Sequence, residues 1–458
     1  MLTYIRRHSV VFALFSVITI GAIYAVLTLD QVRVGEGIRR PLKELKDGVF
    51  FISPEDYAGT VGHLTRKKVV FLPAPQQKLS LSKPAVAAAD YLGPESCREC
   101  HAAYVETSAA TAHYRTCRLP SETSLPDDFG EGRNILRTAT PDMLFEMSRS
   151  GDKYYQSVVV LRRGVEFEHK EEIGIVTGSA KYGQTFLFWK DQCLYELPVS
   201  HFTELGEWVN SPGYVDGVAN FARPIFARCL ECHSTWIEQS GVPLNRFKEQ
   251  PSILGITCEK CHGPGREHVE YHRREPDDRT ARHIVNPGNL SRERSIDMCS
   301  LCHSGAGEPL QDPFSFRPGD KLADFVKIPP DSESGPGGVH SANQQARMAL
   351  SKCFQQSSDM QCTTCHDPHH QERGNAKLFI ERCFKCHESS DCRIVKEMGV
   401  AAEGRCIDCH MPSRADSQMP MQKEKETFRP MLRDHLIDIW DDKTAEVLKE
   451  IASGASKP

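Results

Sequence analysis

Apolar and polar positions alternate most regularly between residues 150 and 200. There "YYQSVVVLRRGVEFEH" reads as two β-rich runs on either side of Arg163-Gly164, and "TFLFWKDQCLYELPV" as a second hairpin around Asp191. A two-residue period is what a half-buried strand requires, so the pattern predicts a small β insertion over residues 150–200. Residues 31–72 are mixed, with a short β-like run "KKVVFLP", and "PAPQQKLSLSKPAVAAAD" from Pro73 to Asp90 has the Pro, Ala and Ser content of a linker. From Cys229 to Pro412 long periodic apolar runs are few and prolines and glycines many. Such a stretch cannot build a conventional core from side chains alone, and something else must fill its interior. Near the end, "DIWDDKTAEVLKEIAS" puts Trp440, Val447, Leu448 and Ile451 on one helical face, which predicts a docking helix.

The N-terminus has a different pattern. Arg6 and Arg7 precede an uncharged apolar run from Ser9 to Leu29. At about 1.5 Å per residue such a run reaches about 31 Å, the thickness of a hydrocarbon core, which predicts a transmembrane helix. The basic pair would hold the first residues in the cytoplasm and place everything after Asp30 on the periplasmic side of the inner membrane. A cleaved signal peptide is the alternative, although "AIYAVLTLD" makes a poor cleavage site. Both readings export the chain.

With 56 basic against 61 acidic residues in 458, no nucleic-acid footprint is present. Eighteen cysteines and nineteen histidines are less ordinary, and no cysteine precedes Cys97. C-x-x-C-H occurs seven times: Cys97-Cys100-His101, Cys229-Cys232-His233, Cys258-Cys261-His262, Cys299-Cys302-His303, Cys362-Cys365-His366, Cys383-Cys386-His387 and Cys406-Cys409-His410. Composition alone yields about 0.03 occurrences. On a helix, positions i, i+3 and i+4 share a face. Two cysteines so placed can form thioethers to one haem, with the adjacent histidine under the iron. Zinc is the rival, but a zinc knuckle does not need histidine after every second cysteine, and an exported chain is a poor setting for many reduced zinc sites. The expected cofactor is therefore seven covalently bound haems c, which supply the missing core. Cys117, Cys193, Cys353 and Cys392 remain, and in an oxidising compartment one or two disulfides are expected among them.

The second axial position of each iron decides function. Two protein ligands make an electron carrier, and an open position makes a site for a small molecule. His369 and His370 follow His366 too closely to cross the same porphyrin and would reach a neighbouring haem. The same holds for His268 in "CEKCHGPGREH". His113 lies a helix-length beyond His101, and His435 in "LRDHL" can return over a late haem. His340 and His201 are weaker candidates, and His283 weaker again.

"YLGPESCRECHAAYVETSAATAH", "RCLECHST", "ITCEKCHGPGREHV", "MQCTTCHDPHH" and "RCIDCHMP…LRDH" resemble the multihaem c-type cytochromes, closest to the tetrahaem cytochrome of ammonia oxidisers and the hydroxylamine oxidoreductase superfamily. The resemblance covers roughly residues 90–436. It implies closely packed haem pairs, a mainly α fold with little regular secondary structure, electron transfer, and distal-ligand roles for His113, His268, His369 and His435. Two departures stand out. The lysine-ligated motif C-x-x-C-K of catalytic members is absent, and "RCFKCHESSDCRIVKEMG" brings no histidine between His387 and the next motif, so Cys392, Met398, a distant histidine or an open site serves that iron.

The expected organisation is an anchor or signal over 1–30, a stalk and linker over 31–90, a heptahaem domain over 91–436 and a C-terminal helix and tail over 437–458. The expected function is an electron relay between a membrane redox complex and periplasmic acceptors, both redox proteins. An oxidoreductase acting on hydroxylamine or a nitrogen or sulfur oxyanion at one open haem is the alternative, and a subunit of a larger redox complex is a third reading. No flavin, nicotinamide or phosphate motif appears.

Overall fold

The computed structural model describes residues 39–45, 51–56, 60–65, 68–73 and 88–454, apart from 131, 306, 329–337 and 341. Two sheets organise its first half. One has five strands in the order Arg40–Pro41, Val165–Glu172, Lys153–Arg162, Met143–Ser150, Ile135–Arg137. The other runs Glu207–Asn210, Val199–Phe202, Gly183–Lys190, Ile175–Thr177, Cys117–Arg118, with Cys193–Glu196 and Arg223–Pro224 attached alongside. Both predicted hairpins form. Arg162 pairs with Val165 across Arg163-Gly164, and Lys190 with Cys193 across Asp191-Gln192. In each turn both central residues take positive φ, at 51° and 76° and at 50° and 64°, the geometry whose twist suits a two-residue hairpin.

The sheets share one core. Phe145, Val158 and Val160 of the first pack with Phe186, Phe188 and Val199 of the second, all essentially inaccessible. Buried Gln156 joins them: its amide donates to the Val199 carbonyl at 2.7 Å and its side-chain oxygen accepts the Val199 N–H at 3.1 Å. Every one of the largest fully buried side chains lies between Leu136 and Phe247. Beyond Cys258, among the described residues, a small cluster is centred on Leu301, Leu322 and Phe325, and Phe314 and Met421 join clusters built from the first half.

The second half is short helices and two-stranded ladders around the cysteine motifs. Four motifs lie wholly on helices, Pro94–Ala109, Cys258–His262, Arg292–His303 and Cys406–His410, while the other three straddle a helix end. The C-terminal helix Asp441–Ala452 buries Val447 and ties to the last motif through Arg405–Glu450 at 2.5 Å, as a docking helix should.

The fold-class expectation needs correcting on two points. The chain is not mainly α with a small β insertion: strands take up nearly as much of it as helices, and the sheets reach well beyond 150–200 on both sides. The excess strands hide for a physical reason. Met143–Ser150 is buried on both faces over its first half and so does not alternate, and Cys117–Arg118 and Arg223–Pro224 are too short to carry a period. On the second point, among the described residues no helix is long and apolar enough to cross a membrane, so the expected transmembrane helix is not found there. The run at 9–29 and most of the 73–90 linker lie outside the described residues.

Candidate haem centres

Four pairs of imidazoles face one another. Ring centres are 6.5 Å apart for His101 and His268, 6.2 Å for His262 and His369, 6.0 Å for His113 and His303, and 6.3 Å for His366 and His435. Each pair combines one motif histidine with one of the four principal distal candidates. With a metal–imidazole bond of about 2.0–2.1 Å on each side and about 1 Å from ring nitrogen to ring centre, two rings sharing one metal stand about 6 Å apart. The residues fit an iron held between imidazoles. Three pairs are near parallel, at 19°, 28° and 24°, and His113–His303 is crossed at 68°.

The ring nitrogens are arranged to match. Nδ1 of His262, His268, His410 and His435 lies 2.9, 2.8, 3.0 and 3.1 Å from the carbonyl oxygens of Val285, Arg282, Asp438 and Arg433. His303 Nδ1 meets the Gln344 side-chain oxygen at 3.0 Å, and His233 Nδ1 meets Thr116 Oγ1 at 3.0 Å. A carbonyl only accepts, so Nδ1 carries the proton and Nε2 keeps its lone pair for a metal. Burial, with the neighbouring His303 and His366, holds His113 and His435 down to about 4, so both imidazoles are neutral near neutrality.

The other candidates are engaged differently. His201 Nε2 is 2.9 Å from Asp128 Oδ2, and its ring lies edge-on to Trp208. His340 Nδ1 accepts the Ala342 N–H at 3.3 Å, which leaves the proton on Nε2. His370 turns to Asp367, at 2.8 Å, while its neighbour His369 faces His262. His283 lies beside Glu267 and Tyr271.

Thiols of different motifs touch: Cys97 with Cys258, Cys232 with Cys302, and Cys299 with Cys362. No disulfide joins any of Cys117, Cys193, Cys353 and Cys392. Cys117 and Cys193 belong to separate core clusters. Among the described residues no three His, Cys, Asp or Glu side chains converge as a metal cage would require.

Comparison with known proteins agrees with this chemistry. The family described as "Cytochrome c554 and c-prime" matches residues 216–263, which hold the second and third motifs. The dissimilatory sulfite reductase MccA of Wolinella succinogenes is 22% identical over 391 residues, covering 70% of this chain and 50% of that protein. The chain thus spans about half the length of the curated relative it matches. The solved outer cell wall cytochrome OcwA superposes with TM-score 0.50 and 18% identity over 80% of this chain and 84% of its own. An undecahaem cytochrome from the S-layer of Carboxydothermus ferrireducens aligns at TM-score 0.35, 17% identity, over 72% of this chain and 52% of its own. The chain is a multihaem c-type cytochrome.

In this cytochrome three motif histidines, His233, His387 and His410, face no second imidazole among the described residues. His233 lies instead on a cleft of about 220 Å³ lined by Thr177, Thr185, Leu187, Glu196, Ile225 and Cys229. Burial raises the Glu196 carboxyl, and Arg223 opposes that at 3.0 Å. Sequence reasoning singled out only the motif of His387 as short of a partner. His233 was hidden because its surroundings come from strands Ile175–Thr177, Gly183–Lys190 and Cys193–Glu196, far away in the chain. It also missed four acids inside the motifs, Glu99, Glu231, Glu259 and Asp408, of which Glu99 pairs with Arg273 at 2.8 Å. Each bonds to a distant segment: Glu231 to the Phe314 N–H at 2.7 Å, Glu259 to the Gly93 N–H at 2.8 Å, and Asp408 to Arg433 at 2.5 Å. An acid between the two cysteines was the available signal.

Proposed function

We propose that this cytochrome carries seven haems c on residues 91–436 and relays electrons between protein redox partners on the periplasmic side of the cytoplasmic membrane. In this reading the seven cysteine pairs hold the porphyrins by thioethers. The motif histidines are proximal ligands, with His268, His369, His113 and His435 as distal partners of His101, His262, His303 and His366. Haem c supplies a one-electron couple at its iron. The polypeptide would hold four of the irons between paired imidazoles, and it keeps three sets of neighbouring attachment points in contact. The observation that carries the reading is the set of four imidazole pairs at 6.0–6.5 Å. Both ligands then stay in place whether the iron is oxidised or reduced, which suits electron transfer.

The His233 cleft favours a second role alongside the first. Its lining offers hydroxyl, carboxyl and aliphatic groups and no imidazole other than His233. An iron held there keeps a position for a small molecule, and a sulfur or nitrogen oxyanion is the substrate class suggested by the sulfite-reducing relative. Haem quantification and carbon monoxide titration of the reduced holoprotein test both roles. Seven haems with at least four refusing carbon monoxide is the expected result. Fewer haems, or carbon monoxide at more than three, would sink the relay. Binding lost at one haem in His233→Ala locates the open site, and unchanged binding in that variant removes it.

A further inference from the structure

Glu259 lies inside the third motif, between Cys258 and Cys261, yet its carboxylate serves the first. Its Oε1 accepts the Leu92 N–H at 2.9 Å and the Gly265 N–H at 2.8 Å, and its Oε2 accepts the Gly93 N–H at 2.8 Å. The residue is 3% exposed. Gly93 caps the N-terminus of helix Pro94–Ala109, which carries Cys97, Cys100 and His101. Gly265 caps the N-terminus of helix Arg266–Arg274, which carries His268. One buried carboxylate therefore closes two helix starts at once, where unsatisfied N–H groups and the helix dipole both favour negative charge. The approach is close: a Cβ on Gly265 would stand 3.1 Å from Glu259 Oε1.

These two helices deliver the two imidazoles of one pair, 6.5 Å apart and 19° from parallel. The helix holding the carboxylate also brings Cys258 against Cys97. We infer that Glu259 is a positioning residue for the haem of the first motif, setting the distance and angle between His101 and His268 from within the attachment motif of its neighbour. The inference rests on the axial pairing proposed above. It predicts that the ligand field of one haem answers to a residue in another haem's motif. Three charge-assisted bonds converge on a single side chain, and no nearby group takes them over when it changes.

The test uses the holoprotein with Glu259→Gln and Glu259→Asp, and His268→Ala as marker. His268→Ala identifies the first-motif haem as the low-spin electron paramagnetic resonance signal that disappears. Glu259→Gln loses one acceptor and the charge, and Glu259→Asp keeps the charge but is one methylene too short for all three N–H groups. Both should shift that same signal or convert it partly to high spin, with up to one further equivalent of carbon monoxide bound and the remaining signals unmoved. Only Glu259→Gln should also raise that haem's reduction potential, because it removes a negative charge. If both variants leave the marked signal in place, or if all low-spin signals move together with loss of haem, Glu259 is merely structural and the inference falls. If Glu259→Gln does not fold, Glu259→Asp alone decides between these outcomes. A His268→Ala protein that keeps every low-spin signal refutes the pairing itself, and the inference falls with it.

Discussion

At the scale of residues, the clearest contrast is between His201, which is buried, and His435, which is half-buried. Nothing local in "LRDHL" or "PVSHF" separates them. What separates them is where Nε2 points: His201 spends it on Asp128, whereas His435 anchors Nδ1 on a backbone carbonyl and turns its ring to His366. His201→Ala should leave every spin state unchanged and cost about 1–3 kcal/mol, because Asp128 loses one of its two partners and keeps Arg133. A new high-spin haem in that variant would overturn the distinction. His435 is held in place by its neighbour. Asp434, fully buried, takes Arg347 Nε at 2.9 Å and a second guanidinium nitrogen at 2.7 Å, with Arg414 at 3.2 Å. Breaking such a buried pair from one side costs about 3–5 kcal/mol. Arg347→Ala should accordingly lower the melting temperature and loosen one axial pair, read as a high-spin fraction at a single haem. A lowered melting temperature with all spin states intact would confine Arg347 to stability.

At the scale of elements, the attachment motifs were legible because their chemistry is local, whereas the segments that bring distal histidines into place depend on contacts between distant chain regions. Gly255 illustrates this. It ends strand Phe247–Leu254 with φ of 75°, and a Cβ there would collide with the Tyr114 carbonyl oxygen. The next residue, Ile256, donates its N–H to the His113 carbonyl at 2.9 Å. A glycine after a strand reads in sequence as an ordinary terminator, but here it lets the sheet edge lie directly against the turn that presents His113. Gly255→Ala should destabilise by about 1–3 kcal/mol through strain and overlap. It should also disturb the crossed His113–His303 pair before the three parallel ones, which resonance spectra would separate. Equal disturbance of all four would mean that the contact supports the fold in general.

At the scale of the molecule, two halves are built on different principles. Residues 135–254 bury phenylalanines, valines and leucines between two sheets, while beyond Cys258 the chain has little apolar interior of its own. That deficit was legible as a shortage of periodic apolar runs; the size of the sheets was not. Polypeptide made without haem attachment should therefore protect amide hydrogens in the strands from exchange and leave the later motifs unprotected. Uniform protection would show that the second half folds without its cofactors. The pairing of imidazoles has a further consequence for biogenesis. As the chain is made from its N-terminus, His101 precedes its partner His268, His262 precedes His369, and His366 precedes His435, whereas His303 finds His113 already made. For most of its synthesis, then, the nascent chain carries imidazoles whose facing partners are not yet made, in the widest case until a segment well over a hundred residues behind has left the ribosome. A chain stopped just short of residue 435 would have all seven C-x-x-C-H motifs and still lack one ring of the four facing pairs.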